Sequence, residues 1–308
     1  MGAGLRLEIR KEGNGPVTQV RISSPEDVPA QRALWKLAFG DGDDYIDNFY
    51  HTYYRPERML VLEEAGRVCS MTAWFDTAFV VPERGEFRCA YLYAVATHPD
   101  CRGKGLAGRL LAGADDYFRS QGIPAVSTVP AEPSLHDFFG RNGFRECFRH
   151  FEGTLTPGEL PPARAPVLRR SAPAEYGRVR ETLLSGVPHI AYAEDALRYQ
   201  EGCCALGEGG LYVGDTSAGP VCLCAEEAGG GLVVIKEYLG SPAACRLALP
   251  DLHRIAPAER WLIRSPRSPE ESPANQSLGL FGMLKWLDPK LEQGWDWAST
   301  AYLGLAFD

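Results

Sequence analysis

The sequence lacks the signals that mark the commonest nucleotide-driven and hydrolytic enzymes. No G-x-x-x-x-G-K-[ST] loop occurs, so a P-loop NTPase has no phosphate cradle here, and no G-x-S-x-G elbow supplies a serine hydrolase nucleophile. The six histidines (His51, His98, His136, His150, His189, His253) form no H-E-x-x-H pair. Among the nine cysteines, the close spacings Cys203-Cys204 and Cys222-Leu-Cys224 have no matching ligand set, so no metal site is expected. An odd, scattered cysteine count suits a reducing compartment, where free thiols pack as small apolar side chains. No run of about 18 apolar residues is present, and Met1-Gly-Ala-Gly-Leu-Arg-Leu-Glu8 lacks the charged start and apolar middle of a signal peptide. A cytoplasmic protein with no membrane partner is expected. Basic residues are outnumbered, 32 Lys+Arg against 40 Asp+Glu for a net charge of −8. That balance argues against a nucleic-acid partner, which needs clustered cations, while leaving room for one local basic spot.

What is present describes a folded chain. Hydrophobic residues at 45% and charged residues at 23% lie far from the disordered composition. At 308 residues the chain exceeds the ~250 at which single cores stop growing, so two domains are expected. Alternation over Val17–Ser23 predicts a strand, and Ser24-Pro25-Glu26-Asp27 opens a helix. An aromatic-rich helix is expected over Asp41–Tyr54, then strands over 58–64, 67–81 and 87–97. After Pro99 the period changes: Leu106, Leu110, Leu111, Ala114, Tyr117 and Phe118 make an amphipathic helix that stops at Gln121-Gly122. A short strand (124–129), a short helix (134–141) and a closing strand region (144–155) follow. Four prolines in 156–166 make a stiff linker, which places a domain boundary near 158 and predicts domains over 1–158 and 159–308. The second half starts again in the same style, with a strand at 167–170, helices at 176–184 and 194–200, and strands at 211–214, 220–225 and 231–239. Residues 299–308 are expected to form a last strand.

The chemistry-bearing stretch is His98-Pro99-Asp100-Cys101-Arg102-Gly103-Lys104-Gly105-Leu106-Ala107-Gly108. A strand that ends in a glycine-rich turn and opens a helix presents unpaired N–H groups at the positive end of a helix dipole, a site for phosphate or diphosphate. Gly103, Gly105 and Gly108 also spell the dinucleotide fingerprint G-x-G-x-x-G. That motif, however, needs a βαβ unit and an acid about 20 residues on. Here the loop follows a strand meander, and the chain offers Ala125 at that distance with no acid until Glu132. A purely structural glycine turn is the third reading, although capping does not call for Arg102 and Lys104 beside three glycines.

Read as R-x-x-G-x-A, Arg102–Ala107 resembles the acyl-CoA loop of the GNAT superfamily of N-acetyltransferases. The resemblance covers residues 17 to about 155 and includes Pro133-Ser-Leu-His-Asp-Phe-Phe-Gly-Arg-Asn-Gly-Phe144, which looks like the family's second motif. It implies an α+β fold, a mixed and mainly antiparallel GNAT sheet flanked by helices, followed by a second, degenerate GNAT-like domain. In the second half the loop is replaced by Tyr238-Leu-Gly-Ser-Pro-Ala-Ala-Cys-Arg246. The implied activity is acetyl-CoA-dependent N-acetyl transfer to a primary amine of a small molecule or peptide by direct attack. The alternative is a CoA-binding or sensing module whose catalysis has lapsed. Association between copies through the second half is compatible with either.

By position, the resemblance implies that Arg102, Gly103, Lys104, Gly105, Leu106, Ala107 and Gly108 hold the CoA diphosphate. Val95, Ala96 and Thr97 would pair with pantetheine, one of their N–H groups polarising the acetyl carbonyl. Ser134, Phe138 and Phe139 would line the cosubstrate from the short helix. Many members carry a tyrosine acid where this chain has Phe139, so thiolate departure needs another donor or none. For the base, strand parity puts Tyr91, Tyr93, Val95 and Thr97 on one face, with Glu86, Tyr93 and His98 as candidates. Each has a plainer reading as a strand start, a core aromatic or a turn residue. Asp308 is a further candidate, since the terminal carboxylate of some multidomain relatives reaches the site. Asp41, Asp43, Asp44 and Asp47 either attract a cationic amine or serve a helix N-terminus.

Overall fold

The computed structural model describes residues 6–8, 17–162, 164–266 and 277–307. The chain divides into two compact units, each drawn from separate stretches: unit 1 from 1–77, 88–145 and 284–295, and unit 2 from 78–87, 146–283 and 296–308. The unit border at Arg145/Glu146 precedes the proline-rich 156–166 stretch.

In unit 1 the order is β1 (Arg6–Glu8), β2 (Thr18–Ile22), α1 (Val28–Phe39), α2 (Asp43–Thr52), β3 (Met59–Glu64), β4 (Arg67–Val81), β5 (Gly85–Thr97), α3 (Leu106–Ser120), β6 (Ala125–Thr128) and α4 (Pro133–Arg141). The turn end of the β4–β5 hairpin belongs to unit 2. Strands lie in the order β1-β2-β3-β4-β5-β6. Pairs β1–β2, β2–β3 and β3–β4 are antiparallel, and β5–β6 is parallel. Local chemistry sets the ends. Gly40, at φ +76, closes α1 by donating its N–H to Lys36 O, a left-handed cap that a side chain would strain.

Successive strand residues point to opposite faces, and β4 shows it. Trp74 meets Phe118 of α3 with ring centres 5.1 Å apart, while Phe75 meets Tyr53 of the α2 end at 4.1 Å. Of the apolar stripe read in the sequence, Leu106, Leu110, Leu111, Ala114 and Phe118 are buried, and Tyr117 is half-buried. Gly113 lets α3 sit close on β2, because a Cβ there would lie 2.7 Å from Val20 Cγ1.

Unit 2 contains β7 (Arg145–Leu155), β8 (Leu168–Arg170), α5 (Pro173–Leu183), β9 (His189–Tyr192), α6 (Glu194–Ala205), β10 (Gly210–Thr216), β11 (Gly219–Gly229), β12 (Leu232–Gly240), α7 (Pro242–Ala248), α8 (Leu252–Ile255) and β13 (Arg260–Ser265). Its strands run β7-β13-β12-β11-β10-β8, antiparallel except for β12–β13. The end of β14 (Ser277–Trp286) and α9 (Pro289–Gln293) return to unit 1. Mixed, mostly antiparallel sheets flanked by helices make this the α+β class expected from the sequence. Elements β9, β13, β14, α7, α8 and α9 were not anticipated.

The last strand expected over 299–308 is a correction. Only Ala301 and Tyr302 make isolated bridges, after which Gly304, Ala306 and Phe307 all have positive φ, a geometry no strand continues. Side chains hold this segment instead. Arg180 donates to Leu303 O at 3.3 Å, and Tyr192 hydroxyl donates to the same oxygen at 3.1 Å. Arg180 and its counter-ion Glu237 are both fully buried, 2.9 Å apart, with Tyr176 hydroxyl on the same carboxylate at 2.6 Å. All nine cysteines are free thiols, and all but Cys245 are buried. No helix among the described residues is long and apolar enough to cross a membrane.

Arg180 also pairs with the partly exposed Glu181 at 2.9 Å, so loss of Glu237 leaves the buried cation its weaker, solvent-screened partner. Glu237→Ala is therefore expected to lower unfolding stability by ~3–5 kcal/mol, read as a lower urea midpoint at unchanged slope. A midpoint equal to that of the unsubstituted protein would show that Glu181 suffices as the counter-ion of Arg180.

Candidate functional site

The site lies in unit 1, where β5 outruns its parallel neighbour. Pairing of β5 with β6 runs through Cys89↔Ala125, Ala90↔Val126, Tyr91↔Ser127 and Leu92↔Thr128 and stops there, because β6 ends at Thr128 while β5 continues to Thr97. The stretch Tyr93–Thr97 thus runs on past the last β6 pair. Inside it Ala94 has φ +50, a left-handed residue within a strand. The expected parity is corrected at this point. Tyr93 packs on Phe75 at 5.3 Å, on the α1–α2 face. Thr97 Oγ1 instead meets Ser70 Oγ at 2.7 Å, and Ser70 shares the face of β4 that Trp74 turns to α3. The kink at Ala94 moves Thr97 to the face opposite Tyr93.

Past Thr97 the chain is pinned and then released. His98 N–H donates to Cys69 O at 2.9 Å, and the Pro99–Cys101 turn is closed by Cys101 N–H on His98 O at 2.8 Å. Burial, with the Cys101 sulfur 2.9 Å away, pushes the Cys69 thiol up to about 11, so it packs protonated beneath the turn. Gly103 and Gly105 then take φ +75 and +72, with open space wherever a Cβ would stand. The first bond into α3 is Arg109 N–H to Gly105 O, 3.2 Å. Among the described residues, nothing accepts from the amides of Gly103, Lys104, Gly105, Leu106, Ala107 or Gly108. Gly105 stands at the N-cap without a side chain to take them. Such a row, at the positive end of a fifteen-residue helix, is a ready receptor for an anion.

Unit 2 offers a direct contrast. At the corresponding strand-to-helix turn, Pro242 removes one N–H and Ser241 Oγ accepts from Ala244 N–H at 3.1 Å. That helix start caps itself.

The cations beside the loop are partly committed. Arg102 Nε donates to Thr97 O at 3.1 Å, and Lys104 Nζ pairs with Glu64 at 3.2 Å, which raises the lysine's pKa above its ordinary value. Val95 and Thr97 are half-buried and Ala96 is buried, its carbonyl accepting from Ser70 Oγ at 2.7 Å. On α4, Ser134 is exposed, Phe138 is half-buried, and Phe139 is 4% exposed between the Phe138 and Phe144 rings at 5.2 and 5.4 Å. Tyr93 hydroxyl lies 2.9 Å from Tyr45 hydroxyl on α2. His98 Nδ1 accepts from Asp100 N–H at 3.2 Å with Arg67 at 3.0 Å, a turn-capping role, and Glu86 is exposed at the start of β5. Asp41 takes the Trp35 indole N–H at 2.7 Å, Asp43 pairs with Lys36 at 2.8 Å, and Asp47 pairs with Arg32. Three of the four carboxylates thus have structural partners, and Asp44 is exposed. Asp308 lies outside the described residues. Among the described residues, no group of three His, Cys, Asp or Glu is arranged to hold a metal ion.

Sequence reasoning missed Tyr45, Ser70 and Asn142. Asn142 Oδ1 lies 3.4 Å from the place a Gly108 Cβ would occupy, and its Nδ2 donates to Phe138 O at 2.8 Å. It stood inside the quoted Gly-Arg-Asn-Gly-Phe144 motif, but only the fold brings it to α3.

Residues 19–146 match the model of an acetyltransferase (GNAT) domain. No curated protein matches the chain. A GCN5-related N-acetyltransferase from Anabaena variabilis is similar at TM-score 0.69 and 15% identity over 88% of this chain and 73% of its own. One from Kribbella flavida gives 0.67 and 16% over 89% and 72%. Eis1 from Mycobacterium abscessus gives 0.63 and 12% over 90% and 75%. At these identities the likeness establishes a shared fold.

Left-handed backbone strains alanine and strains a β-branched side chain more. Ala94→Val is expected to cost ~1–3 kcal/mol of stability, read by thermal unfolding. A melting temperature unchanged from that of the unsubstituted protein would mean that β5 does not kink at this residue.

Proposed function

Starting from residues 19–146 as a GNAT acetyltransferase domain, we propose that this acyltransferase moves acetyl from acetyl-CoA to a primary amine of a small molecule or peptide by direct attack on the thioester. The observation that carries the reading is the row of unclaimed amides from Gly103 to Gly108, opening beside the point where β5 leaves β6. In this reading the amides hold the CoA diphosphate, and Arg102 and Lys104 add screened positive charge. The free edge Val95-Ala96-Thr97 pairs with the pantetheine arm, and one of its N–H groups polarises the acetyl carbonyl. Ser134 and Phe138 flank the cosubstrate from α4, with Phe139 as packing beneath them.

Acetyl-CoA brings an activated carbonyl and a thiol whose pKa near ~8.5 makes it a fair leaving group without a proton donor. The absence of a hydroxyl at Phe139 is compatible with that. Tyr93 hydroxyl accepts the proton of the attacking amine as its own proton passes to the Tyr45 hydroxyl and from there to solvent, and the CoA thiolate leaves with the electron pair of the broken C–S bond. Positioning and carbonyl polarisation supply most of the rate. The second half is a degenerate GNAT-like domain, whose self-capped helix start supports its having no cosubstrate site of its own.

A second reading has its own observation. Phe139, enclosed by aromatic rings where relatives place an acid, favours a CoA-binding module without turnover. An amine library assayed for thiol release separates the two, and turnover with any acceptor excludes the lapsed module.

Gly105→Glu is expected to abolish the rise in melting temperature on adding CoA while the far-ultraviolet circular dichroism stays that of the native fold. Unchanged CoA binding in that variant counts decisively against the loop as the site. Once an acceptor is found, Tyr93→Phe is expected to lower kcat by ~100-fold with KM for acetyl-CoA within about twofold, the signature of lost proton transfer. An unaltered kcat removes Tyr93 from the chemistry.

A further inference from the structure

Unit 1 is closed by a residue from near the far end of the chain. Lys285, on the last turn of sequence of β14, donates from Nζ to Asn142 O at 2.7 Å and pairs with the Asp115 carboxylate. Its ammonium stands 5.5 Å from the Phe144 ring centre. The lysine stem runs over Gly143, where a Cβ would lie 3.1 Å from Lys285 Cε and where φ is +89, a backbone that a side chain would strain. Its neighbour Leu287 ties the same segment to the entry of β6 through an N–H bond to Pro124 O at 2.7 Å. Both partners of Lys285 lead back to the loop. Asp115 lies two turns beyond Gly108 on the same side of α3. Asn142, whose carbonyl Lys285 holds, sets its side-chain oxygen against Gly108 and its amide on Phe138 O. Lys285 and Asp115 side chains are 15% and 12% exposed, so solvent screens the pair little.

We propose that Lys285 is a positioning residue for acetyl-CoA binding: it holds the C-terminal end of α4, with Asn142, against α3 and thereby fixes the first turn that carries the anion-binding amides. The proposal rests on the loop reading given above. It adds that the cosubstrate site of the first half is completed by residues 284–295, which lie outside the matched family segment 19–146. A cation at the end of α4 also meets the negative end of that helix dipole.

The test is CoA affinity, measured by titration calorimetry on the full chain at a temperature where every variant is folded. Lys285→Met and Asp115→Asn are each expected to raise Kd for CoA about tenfold, and the double variant no further than the worse single, because both break one contact. Arg58→Met, which breaks the unrelated Arg58–Asp76 pair of unit 1 (2.9 Å), is expected to lower the melting temperature without moving Kd. Kd within twofold of the unsubstituted protein in both Lys285→Met and Asp115→Asn overturns the proposal. So does an equal rise in Arg58→Met, which reduces Lys285 to general stability. If the unsubstituted chain binds no CoA, the loop reading itself fails, and the role of Lys285 falls with it.

Discussion

A helix cannot satisfy its own first amides, and at α3 the protein leaves that debt open. The loop before it has glycines where an ordinary helix start has a serine, threonine or aspartate, and two of them adopt left-handed backbone with clear space on the side a Cβ would take. β5 leads directly into this turn and has just lost its β6 neighbour. The open amides of the helix start and the length of β5 beyond its β6 partner therefore lie in the same part of unit 1. The rest of the unit can be read as support for that arrangement. The Ala94 kink redirects the strand end, Ser70 and Cys69 pin it, and the buried stripe of α3 fixes the helix on the sheet.

Unit 2 shows the same kind of strand-to-helix turn with the opposite solution. Ser241 caps and Pro242 deletes, so the helix start asks for no ligand. Its polar investment lies in the core instead, where the fully buried Arg180–Glu237 pair is hydrogen-bonded by Tyr176 and reaches the chain's closing segment at Leu303. Buried ion pairs are weak contributors to net stability but costly to break, which makes this one a registration device.

Much of unit 1 was legible because its signals are local. The change of period after Pro99 located α3, and five of the six residues the spacing selected are buried, Tyr117 being half-buried, while Gly113 and Asp115 are buried without having been selected. The loop residues stood in one contiguous motif. What escaped was long-range or conformational. Nothing in Tyr-Leu-Tyr-Ala-Val announces that Ala94 takes φ +50, and a simple alternation therefore carried Thr97 to the wrong face. Tyr45 meets Tyr93 across 48 residues of sequence, and Lys285 meets Asp115 across 170. No spacing rule reaches that far. In the second half, β13 and β14 are separated by a polar, proline-rich stretch that gives no local strand signal. The final residues looked like a strand because they are apolar, whereas their burial comes from side-chain anchors and left-handed turns.

The discontinuity of unit 1 bears on how the molecule is made. A ribosome releases the chain from its N-terminus, so residues up to 145 emerge and begin to collapse while 284–295 are still unmade. During that interval Asp115 has no ammonium beside it, and the end of α4 has no clamp. The amide row before α3 is made early, whereas Lys285 is added only after residues 146–283. Formation of the Lys285–Asp115 contact therefore waits for synthesis of the long middle stretch of unit 2.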